Sequence, residues 1–293
     1  MNMQVVFHLG AHCTDEDRLL KSLLKNCAIL KPHGVTIPGP GRYRKYIRTL
    51  LANSDGQPLT QAEIDSLHSR IIEEGQTKRL ILSNANFMGF AAQIFAGRQL
   101  YQSAKQRLPE LAALFPGCEI EFHLALRNPA SFVPSTFAQC KNMLFDDFMQ
   151  RTELNSIRWS SLVHIIRAVC PEVPLTVWCN EDTPLIWSQL LYELSGVDRQ
   201  IELEGQDDLL AEIMRPEGLK SYYHYINSHP LKTHLQHSRV ISAFLDKFAL
   251  KDQLEDEVSV PGLTQEIVDQ LSDNYETDLQ DIEIIPGVNF IQP

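Results

Sequence analysis

The feature that most constrains the fold of this chain is a set of short apolar runs separated by segments with helical periodicity. Runs rich in strand-forming residues stand at positions 5–9, 79–83, 120–126 and 174–178. Amphipathic segments typical of helices stand at positions 18–30, 60–74, 92–108 and 153–169. Strands that alternate with helices form a parallel sheet with helices on both faces. The sequence therefore predicts an α/β fold, a three-layer sandwich around a central parallel sheet.

The C-terminal part of the chain has a different pattern. Beyond about residue 207 the periodicity is mostly helical, and helices are predicted at 233–250 and 264–280. Residues 282–293, which contain Pro286 and Gly287, are predicted to be extended and to return to the body as a strand. We interpret residues 1–293 as a single domain in which residues 207–293 form a mainly helical elaboration.

Composition and charge narrow the function classes. The 293 residues are 44% hydrophobic and 22% charged, as in an ordinary soluble globular protein. The net charge of -11 opposes binding to nucleic acid or to an anionic membrane. Residues 42–48 are a basic exception, for which two interpretations stay open, a local basic pocket or a solvated helix face.

The lack of a visible targeting signal and the spacing of the cysteines are the features that bear on the cellular compartment. No apolar run approaches the roughly 20 residues that span a bilayer, and the N-terminus lacks the pattern of a secretory signal. The six cysteines form no CxxC pair and no disulfide-dense spacing. We therefore expect reduced thiols in a cytoplasmic protein without a membrane partner.

The loop between the first predicted strand and helix is the first candidate phosphate site. Its residues are Gly10, Ala11, His12, Cys13 and Thr14, followed by Asp15, Glu16 and Asp17. Such a loop binds phosphate through backbone N–H groups and the positive end of the helix dipole. The glycine-rich motifs GxGxxG and GxxxxGKS/T are absent. Because three carboxylates repel a phosphate, the pattern favours a helix start capped by Thr14.

The segment that follows the predicted strand at 120–126 is the second candidate. Arg127 stands at the end of this strand, and Ser135 falls on the first turns of the next predicted helix. A guanidinium group makes bidentate hydrogen bonds to phosphate. We predict that Arg127 and Ser135 hold a phosphate group, the alternative being a structural arginine.

These two segments, in this order and on this fold, resemble the sulfotransferases that use 3′-phosphoadenosine 5′-phosphosulfate (PAPS). Residues 7–17 are similar to the family's 5′-phosphosulfate loop, commonly FHIGxHKTGTT, and Arg127 with Ser135 is similar to its 3′-phosphate site. Residues 158–182 and 275–288 resemble later elements of the family, so the resemblance covers most of the chain. It implies a P-loop-like sandwich of the sulfotransferase type, PAPS as cofactor, and a small-molecule or glycan acceptor.

The chain departs from this family at the residues that carry its chemistry. The family's loop lysine falls on Cys13, and its Gly-Thr-Thr falls on the three acidic residues that follow Thr14. Residues 80–86 resemble a family strand that ends in Ser-x-Glu, whose glutamate often serves as general base. Ala85 stands at the position of that glutamate and cannot transfer a proton.

Three functions follow as hypotheses. The resemblance implies transfer of a sulfuryl group from PAPS to an unknown hydroxyl acceptor, with weak or absent activity because the lysine and the base are missing. The alternative is a non-catalytic binding or interaction protein that has kept the fold. A third hypothesis is binding of another nucleotide, with the acidic residues of the loop holding a divalent cation. No catalytic residue is assigned, and His12 is the expected polar contact of the loop.

Histidines cluster in one later segment, at His224, His229, His234 and His237. His234 and His237 are spaced for one face of a helix and for a shared metal ion. The sequence specifies no third ligand, so it favours packed or solvent-facing histidines and predicts no metal site.

Overall fold

The computed structural model describes residues 3–54, 56–73, 75, 77–231, 233–250 and 260–293, and its centre is a sheet of six parallel strands. The strands are β1 (Gln4–His8), β2 (Val35–Thr36), β3 (Arg79–Ser83), β4 (Glu119–Leu126), β5 (Leu175–Cys179) and β6 (Val288–Ile291). Their spatial order is β2-β3-β1-β4-β5-β6. This confirms the predicted parallel sheet and the return of the C-terminus as a strand. The two-residue β2 was not predicted, because it is too short to show a period.

Thirteen α-helices surround the sheet in the described part of the chain. They are α1 (Arg18–Lys25), α2 (Cys27–Leu30), α3 (Arg44–Ser54), α4 (Gln61–Ile71), α5 (Ala104–Ala113), α6 (Pro129–Ala138), α7 (Phe145–Met149), α8 (Trp159–Val169), α9 (Thr183–Ser195), α10 (Asp208–Ile213), α11 (Pro216–Ser228), α12 (His234–Phe248) and α13 (Gln265–Glu283). In this region, no helix is both long and apolar enough to cross a membrane.

Two hydrophobic cores, one on each face of the sheet, make the fold a three-layer sandwich. Side chains of a strand alternate between the faces, so Val5 and Phe7 belong to one core and Val6 to the other. The first core lies under α3, α4, α5, α6, α8 and α13. The second lies under α1, α2 and α9 to α12. The predicted α/β class with helices on both faces is confirmed.

Two predicted helices begin later than their periodicity indicated. The helix predicted at 92–108 begins at Ala104, because residues 91–98 form short 3-10 turns and Gly97 and Tyr101 have positive φ angles of 69° and 50°. A left-handed residue ends the hydrogen-bond ladder of a right-handed helix. The helix predicted at 153–169 begins at Trp159, after a 3-10 turn at Leu154–Ser156.

The strand order marks the place where a ligand site is expected. From β1 the chain runs to β2 and β3 on one side of the sheet, and then crosses to β4 on the other side of β1. In open α/β sheets, ligands bind outside the carboxyl ends of the strands at such a switch point. The loops that begin at Leu9 and at Arg127 flank this crevice. They are the two segments singled out as candidate phosphate sites.

Candidate functional site

The loop after β1 is fastened to the neighbouring strand through its backbone. The N–H of Leu9 donates to the carbonyl of His123 at 2.8 Å, and the N–H of Ala11 donates to the carbonyl of Ala125 at 3.1 Å. The N–H of Ala125 donates to the carbonyl of Gly10 at 2.6 Å. These bonds extend the ladder of β1 and β4 past the end of β1. The N–H of Ala11 is therefore engaged within the protein.

Gly10 brings this loop against the turn that follows β3. Its φ angle is 94°, and a Cβ atom on it would lie 3.1 Å from both Cα and Cβ of Ala85. Glycine is needed at this position for the conformation and for the close approach. Ala85 thus lies directly against the loop and contributes a methyl group to it.

A carboxylate of the chain itself occupies the start of α1. Asp15 accepts hydrogen bonds from the N–H of Asp17 at 3.3 Å and from the N–H of Leu19 at 3.2 Å. Its carbonyl accepts from the N–H of Arg18 at 2.8 Å. The prediction that Thr14 caps α1 was wrong, because the Thr14 hydroxyl donates to the carbonyl of Ala11 at 2.9 Å instead. Asp15 makes the bonds that a bound anion makes at a helix N-terminus.

Asp17 pairs with a cation of helix α3, Arg44. Nη1 of Arg44 lies 2.7 Å from one Asp17 carboxylate oxygen, and Nη2 bonds to the other. Nε of Arg44 donates to the carbonyl of Ser83 at 2.8 Å. The hydrogen bonds from Arg44 hold the pKa of Asp17 below its usual range. The guanidinium is therefore engaged by a carboxylate on two sides and by a carbonyl on the third.

His12 is buried between two fixed partners. Nδ1 lies 2.6 Å from the hydroxyl of Tyr101, and Nε2 lies 3.2 Å from Oδ1 of Asn86. An amide oxygen only accepts, so Nε2 carries the proton and Nδ1 accepts from the tyrosine hydroxyl. Burial lowers the pKa of His12, although the hydrogen bond to Asn86 opposes this shift. His12 is therefore a neutral side chain that hydrogen bonds to Tyr101 and Asn86 fix in the loop.

Arg127 binds the loop from the other side of the crevice. Its Nη1 donates to the carbonyl of Cys13, and its Nε donates to Oγ of Ser131 at 3.0 Å. Oγ of Ser135 donates to the carbonyl of Ser131 at 2.7 Å, and the hydroxyl of Thr136 donates to the Cys13 sulfur at 3.7 Å. The structure thus brings Cys13, from the first candidate site, into one cluster with Arg127 and Ser135, from the second.

Ser131 links this cluster and was not among the predicted site residues. It accepts from Arg127 through its hydroxyl and from Ser135 through its carbonyl. It lies four residues before Ser135 on α6, and this spacing places both residues on one helix face. The four-residue spacing between Ser131 and Ser135 is the feature of the sequence from which Ser131 could have been predicted. Asn128 caps α6 by accepting from the N–H of Ala130 at 2.9 Å.

A basic pocket lies beside the loop, on the side of β3. It has a volume of about 350 Å³, and three of its cations, Arg44, Lys45 and Arg48, come from the basic residues 42–48. Arg107 of α5 adds a fourth cation. The sequence left two interpretations open for residues 42–48, a basic pocket or a solvated helix face. Because most cations of this stretch line the cavity, the structure favours the basic pocket.

The clustered histidines bind protein groups. Nε2 of His237 lies 2.7 Å from the hydroxyl of Tyr222, and Nδ1 of His234 lies 3.3 Å from Oγ of Ser238. Within the described ranges, no three histidine, cysteine or carboxylate side chains are grouped so that they would hold a metal ion.

The chain has neighbours among the solved structures. No protein-family model matches the chain, and no curated protein does. The solved structure of a sulfotransferase from Alicyclobacillus acidocaldarius is similar over 82% of this chain and 97% of its own, with a TM-score of 0.39 and 12% sequence identity.

Proposed function

We propose that this chain is a sulfotransferase-like protein that acts as a non-catalytic binding protein, because its own carboxylates occupy the phosphosulfate loop. The observation that carries the proposal is the position of Asp15, whose carboxylate accepts from two N–H groups at the start of α1. To bind at the same place, a phosphate would have to displace the carboxylate of Asp15, which is part of the chain. The residues of the loop that the resemblance assigns to PAPS therefore form a closed structure.

The electrostatics of the loop also oppose sulfuryl transfer. The reaction needs donors on the charge that develops on the leaving phosphate, and the loss of one such donor typically costs about 10²–10³ in rate. The position of the family's lysine holds Cys13, and the guanidinium of Arg44, beside the loop, is bound by Asp17. Ala85 supplies no general base. Three contributions to catalysis are thus missing together.

The Arg127 segment contains the two residues that the resemblance assigns to the 3′-phosphate of the cofactor. Arg127 and Ser135 both bond to Ser131, which supports this assignment. Arg127 also holds the backbone of Cys13, so its present hydrogen bonds stabilise the closed loop. Binding of a nucleotide would exchange these bonds for bonds to phosphate.

Isothermal titration calorimetry with adenosine 3′,5′-bisphosphate tests the closed loop. We expect no measurable heat with the wild type, and binding at least tenfold tighter in a double variant, Asp15→Ser with Asp17→Ser, which removes both carboxylates. Tenfold corresponds to about 1.4 kcal/mol. The matched control is Glu16→Ser, because Glu16 is the exposed acid of the same segment and is expected to leave binding unchanged.

Two results would contradict the proposal. Micromolar binding of PAPS by the wild type, or transfer of its sulfuryl group to a hydroxyl acceptor, would show that the loop works as it stands. Nucleotide binding that requires magnesium and is lost in Asp15→Ser would instead establish the third hypothesis, a cation held by the acidic residues.

A further inference from the structure

The basic pocket beside the loop is built by three separate elements. Helix α3 forms one wall, helix α5 forms another, and the turn after β3 forms the inner end. The cavity of about 350 Å³ is large enough for a small organic molecule. It lies near the carboxyl ends of β1 and β3, the edge of a parallel sheet where ligands bind.

Positive charge is concentrated in this pocket. Lys45 and Arg48 stand one helical turn apart on α3, and Arg107 contributes from α5. None of the described residues that line the pocket is acidic. On a chain with a net charge of -11, a cleft with cations alone on its walls is a local exception. Such a cleft focuses its field and raises the local concentration of anions.

The four cations of the pocket differ in whether a carboxylate of the protein already pairs with them. Arg44 is bound by Asp17, and Arg107 lies 3.6 Å from a carboxylate oxygen of Glu110. No ion pair in the described part of the chain includes Lys45 or Arg48, and both are exposed. These two side chains have their charge available for a ligand. Arg107, on α5, adds a second direction from which an anion can be held.

The remaining lining is suited to an apolar body. Ile47, Leu51, Phe87 and Leu111 line the pocket together with the amide side chains of Asn84 and Asn86. Such a surface gives a ligand contact area, while the amides supply a few directed hydrogen bonds. A bare inorganic anion would use the charges and leave the apolar surface in contact with water.

We propose that this pocket binds a multiply charged organic anion, with Lys45, Arg48 and Arg107 holding its carboxylate, sulfate or phosphate groups and Phe87 contacting its apolar body. We expect more than one anionic group on the ligand, because the cations come from two helices and so reach it from two directions. The proposal rests on the pocket alone, so it stands or falls independently of whether the loop after β1 binds a nucleotide.

The pocket also touches the loop through two of its residues. Asn86 accepts from His12 at 3.2 Å, and Arg44 pairs with Asp17. A bound anion therefore lies next to the closed loop, separated from it by these two side chains.

Fluorescence titration with naphthalene-2,6-dicarboxylate tests the proposal, with pyrophosphate and the uncharged naphthalene-2,6-dimethanol as comparison ligands. We expect saturable binding of the dicarboxylate that weakens with added salt, weaker binding of pyrophosphate, and none of the diol. In a double variant, Arg48→Gln with Arg107→Gln, the dissociation constant is expected to rise at least tenfold.

The matched control is Arg42→Gln, because Arg42 belongs to the same basic stretch, is exposed, and does not line the pocket. It is expected to bind as the wild type does, and the melting temperatures of all variants show whether they are folded. Absence of binding by both anions, or equal binding by the double variant, overturns the proposal. Equal affinity for pyrophosphate and the dicarboxylate also overturns it, because the apolar lining would then contribute nothing.

Discussion

At the start of α1, a single side chain makes the hydrogen bonds that a bound anion makes at other helix N-termini. The first N–H groups of a helix need acceptors and favour negative charge. Asp15 supplies both from within the chain, and Asp17 does the same for the guanidinium of Arg44. A loop whose donors are satisfied internally keeps its conformation without a ligand. The identity of these two residues therefore decides the state of the whole loop.

Buried histidines predict a loss of stability in mild acid. Burial lowers the pKa of His8 and of His12, so below about pH 6.5 the unfolded state takes up protons that the folded state does not. Stability is complete above pH 6.5 and falls as the pH approaches the folded pKa values. Between pH 7.5 and 5.5 we expect the wild type to lose stability through both groups, each by at most about 1.4 kcal/mol.

Urea denaturation at both pH values checks this expectation. His12→Gln removes one of the two titrating groups, so its stability should fall by less than that of the wild type over the same interval. Equal losses in the two proteins would show that His12 is protonated alike in the folded and unfolded states.

Among the secondary-structure elements, α8 depends on a carboxylate from another helix. Asp278 of α13 is 2% exposed and accepts from the N–H of Trp159 at 2.5 Å and from the N–H of Ser160 at 3.2 Å. The indole of Trp159 in turn donates to the carbonyl of Arg127 at 2.8 Å. The cap thus joins α13, α8 and the end of β4, and it supports the backbone of the Arg127 segment.

Loss of this cap is expected to destabilise the protein. Asp278→Ala leaves two N–H groups at the start of α8 without their acceptor, and we expect a decrease of about 2–3 kcal/mol in the free energy of unfolding. Asp278→Asn keeps one acceptor oxygen and should cost about 1 kcal/mol. The control is Asp281→Ala on the exposed side of the same helix. Equal unfolding midpoints for Asp278→Ala and the control would refute the capping role.

In the molecule as a whole, one buried arginine joins the sheet to a helix. Arg79 of β3 is 9% exposed, and its Nη2 lies 2.7 Å from a carboxylate oxygen of Glu121 on β4, two strands away. Nε of Arg79 donates to the carbonyl of Leu194 at 2.9 Å, at the C-terminus of α9. Burial alone would raise the pKa of Glu121, but His123 and Arg79 beside it outweigh burial and lower that pKa to about 2.

Removal of one partner of this pair is expected to be costly. Arg79→Met leaves a half-buried carboxylate without its cation, and we expect a loss of about 3 kcal/mol. In the double variant with Glu121→Leu, part of this loss should be recovered. Because the folded pKa of Glu121 is lowered, its contribution is present above about pH 4.5 and is lost as the pH falls towards 2. A double-mutant cycle at pH 7 and pH 3 measures both effects, and additive losses at pH 7 would contradict the coupling.

Much of the architecture could be predicted because it depends on local periodicity. The strands at 79–83 and 175–179 and the final strand at 288–291 lie where their apolar runs indicated. The helix predicted at 92–108 was wrong in its first turns, since Gly97 and Tyr101 adopt left-handed conformations that no period of apolar residues reveals. Strand and helix boundaries of this kind depend on backbone geometry rather than on pattern.

The sequence by itself determined the alternation of strands and helices, the order of the two loop segments along the chain, and the residue types, cysteine and alanine, at positions 13 and 85. These properties depend on residue type and on near neighbours. Only the tertiary structure decided that Asp17 pairs with Arg44, 27 residues away, and that α3 and α5 enclose a basic pocket. Such contacts arise when the sheet and its helices pack, because packing brings together side chains whose distance along the chain carries no information about their distance in space.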